Sequence, residues 1–159
     1  MKARWMLWAA AAAFGLDQIS KYLVVFRMDL ARVRAIDVWP PVLNFRYGEN
    51  TGINFGLLDD GGEASRWILI AFSLIVCVAV ALWVRRAHPS AIMQASAGLV
   101  IGGALGNIFD RLVYGYVLDF LNMSCCGISN PFVFNVADIF IFGGAAGLIL
   151  FEAKAKKAA

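Results

Sequence analysis

Acidic residues are scarce in this apolar chain, and four aspartates stand where chemistry would be done: Asp17, Asp110, Asp119 and Asp138. Two carboxyl groups held close in an apolar site cannot both ionise easily, so one keeps a proton while the other stays charged. That arrangement can activate a water molecule and protonate a leaving amine. Asp119 and Asp138 flank one short loop, which keeps the segments that carry them together. The competing reading is structural: the same two acids would cap helix ends and pair with Arg111. Other chemistries are excluded by what the chain lacks. His88 is its only histidine, too few for an HExxH motif or a histidine-rich metal cage, and its setting among Arg85, Arg86 and Pro89 does not suggest a Ser-His-Asp triad. There is no GxSxG elbow or glycine-rich phosphate loop. No metal and no other cofactor is expected. Cys77 lies in an apolar run and reads as packing, while the adjacent Cys125 and Cys126 read as free thiols.

The elements that must position these groups are membrane helices. Of 159 residues, 61% are hydrophobic and 16% charged, against roughly 45–50% and 25% in soluble domains. A soluble domain this short could not hide so much apolar surface, so lipid is the expected solvent. The net charge of +3 is small and dispersed, which does not suggest a nucleic-acid partner. A spanning helix needs about 20 mostly apolar residues. Segments 67–84 and 91–109 meet that need without a charge; 5–26 carries Asp17 and Lys21, and 132–151 carries Asp138. The expected fold is therefore an α-helical polytopic membrane protein, one domain over 1–159 with four transmembrane helices. Segment 5–26 also resembles a secretory signal, but three further spans follow and it reads as retained.

Direction follows from the positive-inside rule. Lys2 and Arg4, then Arg85 and Arg86, then Lys154, Lys156 and Lys157 fall on one side, with Glu152 as the one acid among them. Both termini are expected in the cytoplasm. The opposite loop, 27–66, mixes five arginines with six acids. Within it VLNFRY (42–47) alternates like a half-buried strand between Pro40-Pro41 and Gly48. INFGLL (53–58) could pair with it before DDGG (59–62) turns the chain back, and 27–36 is amphipathic enough to lie on the interface. A small extracytoplasmic region containing β structure is the result.

A charge inside a bilayer costs at least ~2.5–3.5 kcal/mol on insertion scales. Asp17 and Lys21, four apart on one helix, could form a self-compensating pair. Alternatively, Asp17 accepts from a neighbouring backbone while Lys21 reaches the interface. Asp17 lies ~14 Å below the outer boundary and Asp138 ~9 Å below it at helical rise. The third span ends near Asn107, Asp110 and Arg111, and Asp119 follows, so the four acids approach the outer leaflet. A transporter or proton relay would instead spread acids through the membrane depth, and a purely structural module would tolerate their loss. Asn50, Asn107 and Asn135 are uncharged groups that could grip a peptide backbone, or simply cap helices and make turns. Gly102, Gly103, Gly106, Gly143, Gly144 and Gly147 mark faces for close helix approach. Trp5, Trp39, Trp67 and Trp83 fall near expected interfaces, where anchoring is the ordinary role.

Five segments, DQISK (17–21), NTGINFG (50–56), GGALGNIFDR (102–111), VLDF (117–120) and FNVAD (134–138), occur in one order across nearly the whole chain. In them the chain closely resembles bacterial lipoprotein signal peptidase, or signal peptidase II. The resemblance implies an aspartyl endopeptidase of the bacterial inner membrane that cleaves prolipoproteins before a diacylglyceryl-modified cysteine. It implies Asp119 and Asp138 as the catalytic pair, and Asn50, Asn107, Arg111 and Asn135 as lining the substrate or inhibitor pocket. Asp17 and Lys21 would support the site, and Gly52 with Gly56 would let the loop over it move. It also implies a lipid-modified prolipoprotein and membrane lipids as partners, and sensitivity to the cyclic peptide globomycin. Ile53-Asn54 departs from the family, where alanines are more usual, and Cys125-Cys126 belongs to no family motif.

Overall fold

Helix α1 (Arg4–Lys21) contains a run of alanines at 9–13, the strongest helix formers, and passes without a break into a π-helical stretch, Tyr22–Arg27. The computed structural model describes residues 3–52, 62–86, 90–124 and 130–158. Three more long helices follow: α3 (Gly62–Arg86), α4 (Ala91–Tyr114) and α5 (Val136–Ala158), after the single turn α2 (Leu30–Val33). Arg4–Arg27, Glu63–Arg86 and Ala91–Tyr114 are long and apolar enough to cross a bilayer, whereas the apolar part of α5, Val136–Phe151, is shorter. Their outer sides carry bare hydrophobes: Trp8, Phe72, Phe142 and Ile149 are each more than 60% exposed. Water would make that surface an aggregation hazard, and lipid makes it ordinary.

Helix α4 runs between α1 and α5. A Cβ added to Gly98 or Gly102 would collide with the backbone of Met6 or Ala10 on α1, and one added to Gly103 would meet the Ala137 carbonyl on α5. Gly144 approaches Ser96 in the same way. Small residues thus let the helices touch backbone to backbone, as packing in lipid favours. One expected member of these faces is corrected: a Cβ on Gly143 would meet nothing within 4 Å. Gly98, one helical turn before Gly102, makes a close approach that the sequence reading passed over. Met6, Val84, Ala97, Val100 and Leu148 join the four long helices in one apolar cluster.

Helix α4 outlasts the expected span, ending only at Gly115, whose φ of 90° breaks the helix. Asp110 and Arg111 are therefore helical residues, not residues beyond a helix end. Helix α5 starts later than expected because 131–135 stays extended, with Phe134 bridged to Leu121.

The elements between the long helices form an antiparallel sheet ordered β1 (Ala35–Trp39), β2 (Leu43–Asn50) and β3 (Val117–Asn122). The strand expected at 42–47 is there and continues to Asn50. Its suggested partner, 53–58, and the turn residues 59–61 lie outside the described residues; β1 and β3 occupy the two edges of β2. His88, Cys125 and Cys126 also lie outside them. The amphipathic stretch 27–36 is one helical turn that enters β1, with Leu30 fully buried and Arg32 exposed beside Asp29. Beneath the sheet, Val24, Val25 and Leu30 pack against Leu118 and Phe120 of β3. On its other side β3 meets the extended residues before α5: Phe120 N and Leu121 N both donate to the Phe134 carbonyl. Covered this way, residues 117–120 are buried without alternation.

Candidate active site

Asp119 sits in the middle of β3, opposite Gly48 of β2, and is 3% exposed. Both its oxygens accept from amides. Asn135 Nδ2 donates to Oδ1 at 2.6 Å, and Asn50 Nδ2 donates to Oδ2 at 3.0 Å. Strand β3 lies outside the long helices, and burial there pushes the Asp119 carboxyl up from 3.8 to about 6. The two amide donors oppose that rise, while the negative charge of Asp138 adds to it.

Asp138 lies in the first turn of α5, held in a reciprocal cap. Asn135 Oδ1 accepts from Asp138 N at 3.0 Å, and Asp138 Oδ2 accepts from Asn135 N at 3.2 Å. This is a capping box built from Asn and Asp. The other oxygen, Oδ1, accepts from Asn107 Nδ2 of α4 at 3.1 Å. Asn135 therefore touches both acids, one through its side chain and one through its backbone. Asn135 Nδ2 also donates to Asn107 Oδ1 at 3.2 Å. Asn50, Asn107 and Asn135, drawn from β2, α4 and the start of α5, are joined to the two aspartates in one network.

The structural reading of the two acids is half borne out. Asp138 does cap its helix, but no Asp–Arg111 bridge forms among the described residues. Arg111 instead donates to the Asn107 carbonyl at 3.3 Å and stands beside Gly52. Gly52 has a φ of 82°, a left-handed conformation that favours glycine.

Asp17 and Lys21 form a second cluster one layer deeper. Lys21, 2% exposed, is 2.8 Å from Asp17 Oδ2 and 2.7 Å from Asp110 Oδ2. Of the two readings of this pair, Lys21 follows the ion pair and does not reach the interface, while Asp17 does both. Its Oδ1 accepts from Ala137 N at 2.9 Å. Asp110 and Gln18 are the participants the sequence reading left unassigned. Gln18 Nε2 donates to Asp17 Oδ2 and Asp110 Oδ1, each at 3.0 Å. A signal for both was present, since Gln18 lies in the DQISK segment and Asp110 in the GNIFDR segment.

A cleft of about 500 Å³ opens over Asp119, lined by Gly48 to Gly52 on one side and Pro131 to Val133 on the other. Both walls are extended backbone, a shape suited to an extended peptide. Among the described residues, no group of His, Cys, Asp and Glu is arranged to hold a metal ion.

The family profile described as Signal peptidase (SPase) II matches residues 9–154. The chain is 43% identical over 145 residues to the lipoprotein signal peptidase of Alteromonas mediterranea, covering 91% of this chain and 78% of that one. It is 40% identical to that of Methylorubrum extorquens over 142 residues, 89% of this chain and 81% of the relative. Among solved structures it resembles a bacterial membrane enzyme determined by the in meso method at 2.3 Å, with TM-score 0.75 and 26% identity over 95% of this chain and 88% of that one. A second such bacterial membrane enzyme, at 1.9 Å, gives TM-score 0.78 and 25% identity over 91% and 90%. The chain belongs to the signal peptidase II family, membrane proteases that cleave signal peptides from prolipoproteins.

Proposed function

We propose that this member of the signal peptidase II family cuts prolipoproteins with Asp119 and Asp138 as an aspartyl dyad, just ahead of a diacylglyceryl-modified cysteine. The observation that carries the reading is Asn135, whose side chain binds Asp119 and whose backbone binds Asp138. It ties two acids from different elements to one residue beside a peptide-shaped cleft.

Burial raises the Asp119 carboxyl to about 6, above an ordinary carboxylate, which favours it as the acid that donates a proton. Asp138, half-buried and held by Asn107 and the Asn135 backbone, is assigned the part of the base. Asp138 takes a proton from water, whose oxygen attacks the scissile carbonyl carbon while Asp119 gives its proton to the carbonyl oxygen. Collapse of the tetrahedral species breaks the C–N bond. The proton on Asp138 goes to the departing amine, and Asp119 recovers its own. Asn50 and Asn107 steady the charge as it moves between the acids without bringing a competing charge into a dry site.

The fold is read as one membrane domain with four spans, α5 being the fourth and both termini in the cytoplasm of the bacterial inner membrane. The basic residues at both ends of the chain and in the last turn of α3 support that orientation. It sets the cleft at the outer leaflet, where a substrate anchored by lipid reaches it sideways. Arg111 and Gly52 form part of the peptide wall. Globomycin, a cyclic peptide, is expected to fill the same cleft.

The test is cleavage of a diacylated precursor by the purified enzyme in detergent, with an unlipidated precursor as control and products resolved by gel. Cleavage confined to the lipidated precursor and blocked by globomycin supports the assignment. Undiminished cleavage by Asp119→Asn or Asp138→Asn removes that residue from the dyad.

A further inference from the structure

Two backbone N–H groups beside the dyad are answered by acids from elsewhere in the fold. Leu118 N, one residue before Asp119, donates to Asp110 Oδ2 at 3.0 Å. Ala137 N, one residue before Asp138, donates to Asp17 Oδ1 at 2.9 Å. Both acids are 0% exposed, and both are bound by the same two side chains, Lys21 and Gln18. Lys21 also sends a hydrogen bond of 3.4 Å to Asn107 Oδ1, which leaves Asn107 Nδ2 to face Asp138. An ammonium group has only donors, so it selects the orientation of that amide.

From this geometry we infer that Asp110 is a positioning residue for proteolysis: clamped by Lys21 and Gln18, it fixes the height of β3 and so aims Asp119 at the partner acid that Asp17 aims from the other side. The inference rests on the dyad reading above and adds Asp110 to it. Strand β3 needs such a fixture. Its pairing with β2 is irregular between Phe45 and Gly48, so Asp119 stands at the end of a short ladder of three pairs, Gly48–Asp119, Glu49–Leu118 and Asn50–Val117. The Asp110 bond is made from a rigid helix one turn before its end, and Lys21 holds its carboxylate from a second helix. Misplacing a reacting group by about 1 Å can slow chemistry by roughly 10²-fold.

The test compares Asp110→Asn, which keeps an acceptor for Leu118 N, with Asp110→Glu, which keeps the charge opposite Lys21 but displaces the acceptor by a methylene. Turnover of a lipidated precursor is measured per folded enzyme, with folding read by thermal unfolding in detergent. The expected result for Asp110→Glu is a kcat lower by about 10²-fold with KM changed less than threefold, and for Asp110→Asn recovery of most of that kcat. A role confined to stability would lower the unfolding temperature and leave kcat per folded molecule alone. If Asp110→Glu yields no folded protein, Gln18→Met, which loosens the clamp and leaves all three charges, carries the test with an expected loss of severalfold in kcat. A wild-type kcat in whichever of Asp110→Glu and Gln18→Met is measured overturns the inference, as does a change in KM alone. Asp119→Asn and Asp138→Asn run alongside. If they are inactive while the Asp110 variants are normal, the positioning inference alone fails; if they are active, the dyad reading beneath it fails.

Discussion

Two pairs of carboxylates lie in adjacent layers of this protein, and the same side chain behaves differently in each. Asp17 and Asp110 share a cation, Lys21, within 2.8 Å of both. Asp119 and Asp138 are served instead by amides, from Asn50, Asn107 and Asn135. An ion pair commits both partners to their charged forms, since stripping one leaves the other stranded in a dry interior. An amide supports a carboxylate without neutralising it, so a proton can come and go. The deeper pair is thus built to stay as it is, and the outer pair to change state. A membrane protease requires both: fixed charges to hold the frame, and labile ones to move a proton.

Substitution can break this contrast. The largest effect is expected at the outer pair, where Asp119→Asn or Asp138→Asn removes a general acid or base and lowers kcat by roughly 10²–10⁴-fold or more. The folded yield should be little changed, because neither acid has a cation that its removal would strand. The deeper pair should show the reverse. Lys21→Met leaves two buried carboxylates uncompensated, and denaturant titration in detergent should show a stability loss of about 3–5 kcal/mol. A Lys21→Met variant as stable as the wild type would erase the distinction between the two layers.

Smaller changes sharpen it. Asn107 touches both layers, accepting from Lys21 and donating to Asp138. Asn107→Ala leaves an acceptor on Asp138 unsatisfied, and at about 1–3 kcal/mol for such a group turnover should fall roughly 10–100-fold, read from initial rates of precursor cleavage. The smallest effect is one of pH. Asp119 has its folded-state pKa raised from 3.8 to about 6, so the folded state binds the proton more tightly than the unfolded chain. Its contribution to stability is complete below about 4 and is lost as pH rises through about 6. Unfolding temperatures of the wild type and Asp119→Asn, compared across that window, should show the wild type losing ground as pH rises. Parallel curves would place the Asp119 titration elsewhere.

Much of the site was legible because its residues are costly where they stand. An aspartate in an apolar run of a short chain demands a reason, and Asp17, Asp119 and Asp138 stand out on that ground, with Asn50, Asn107 and Asn135 as uncharged groups by position; the motif resemblance placed these three and Arg111 in the pocket. Asp110 was seen to converge with them, yet its partner could not be read, because Leu118 N is a backbone group and carries no residue signal. The strand carrying Asp119 was hidden as well. Covered on one side by Val24, Val25 and Leu30 and paired with Phe134 on the other, 117–120 lost the alternation that reveals a strand.

Hydrophobicity, charge placement and motif order thus determined by themselves that the chain is helical, that it lives in lipid, that its acids gather toward one face, and to which family it belongs. Only the tertiary structure decided how those acids divide. Asp17 and Asp110, distant in sequence, meet on one ammonium group, and Asn135 rather than Arg111 joins Asp119 to Asp138. The physical reason is reach. Composition and periodicity record what each residue costs in lipid, summed along the chain, whereas the state of a buried carboxyl depends on the two or three donors within about 3 Å of it. Those donors come from other helices and from backbone amides, and their positions exist only once the helices have packed.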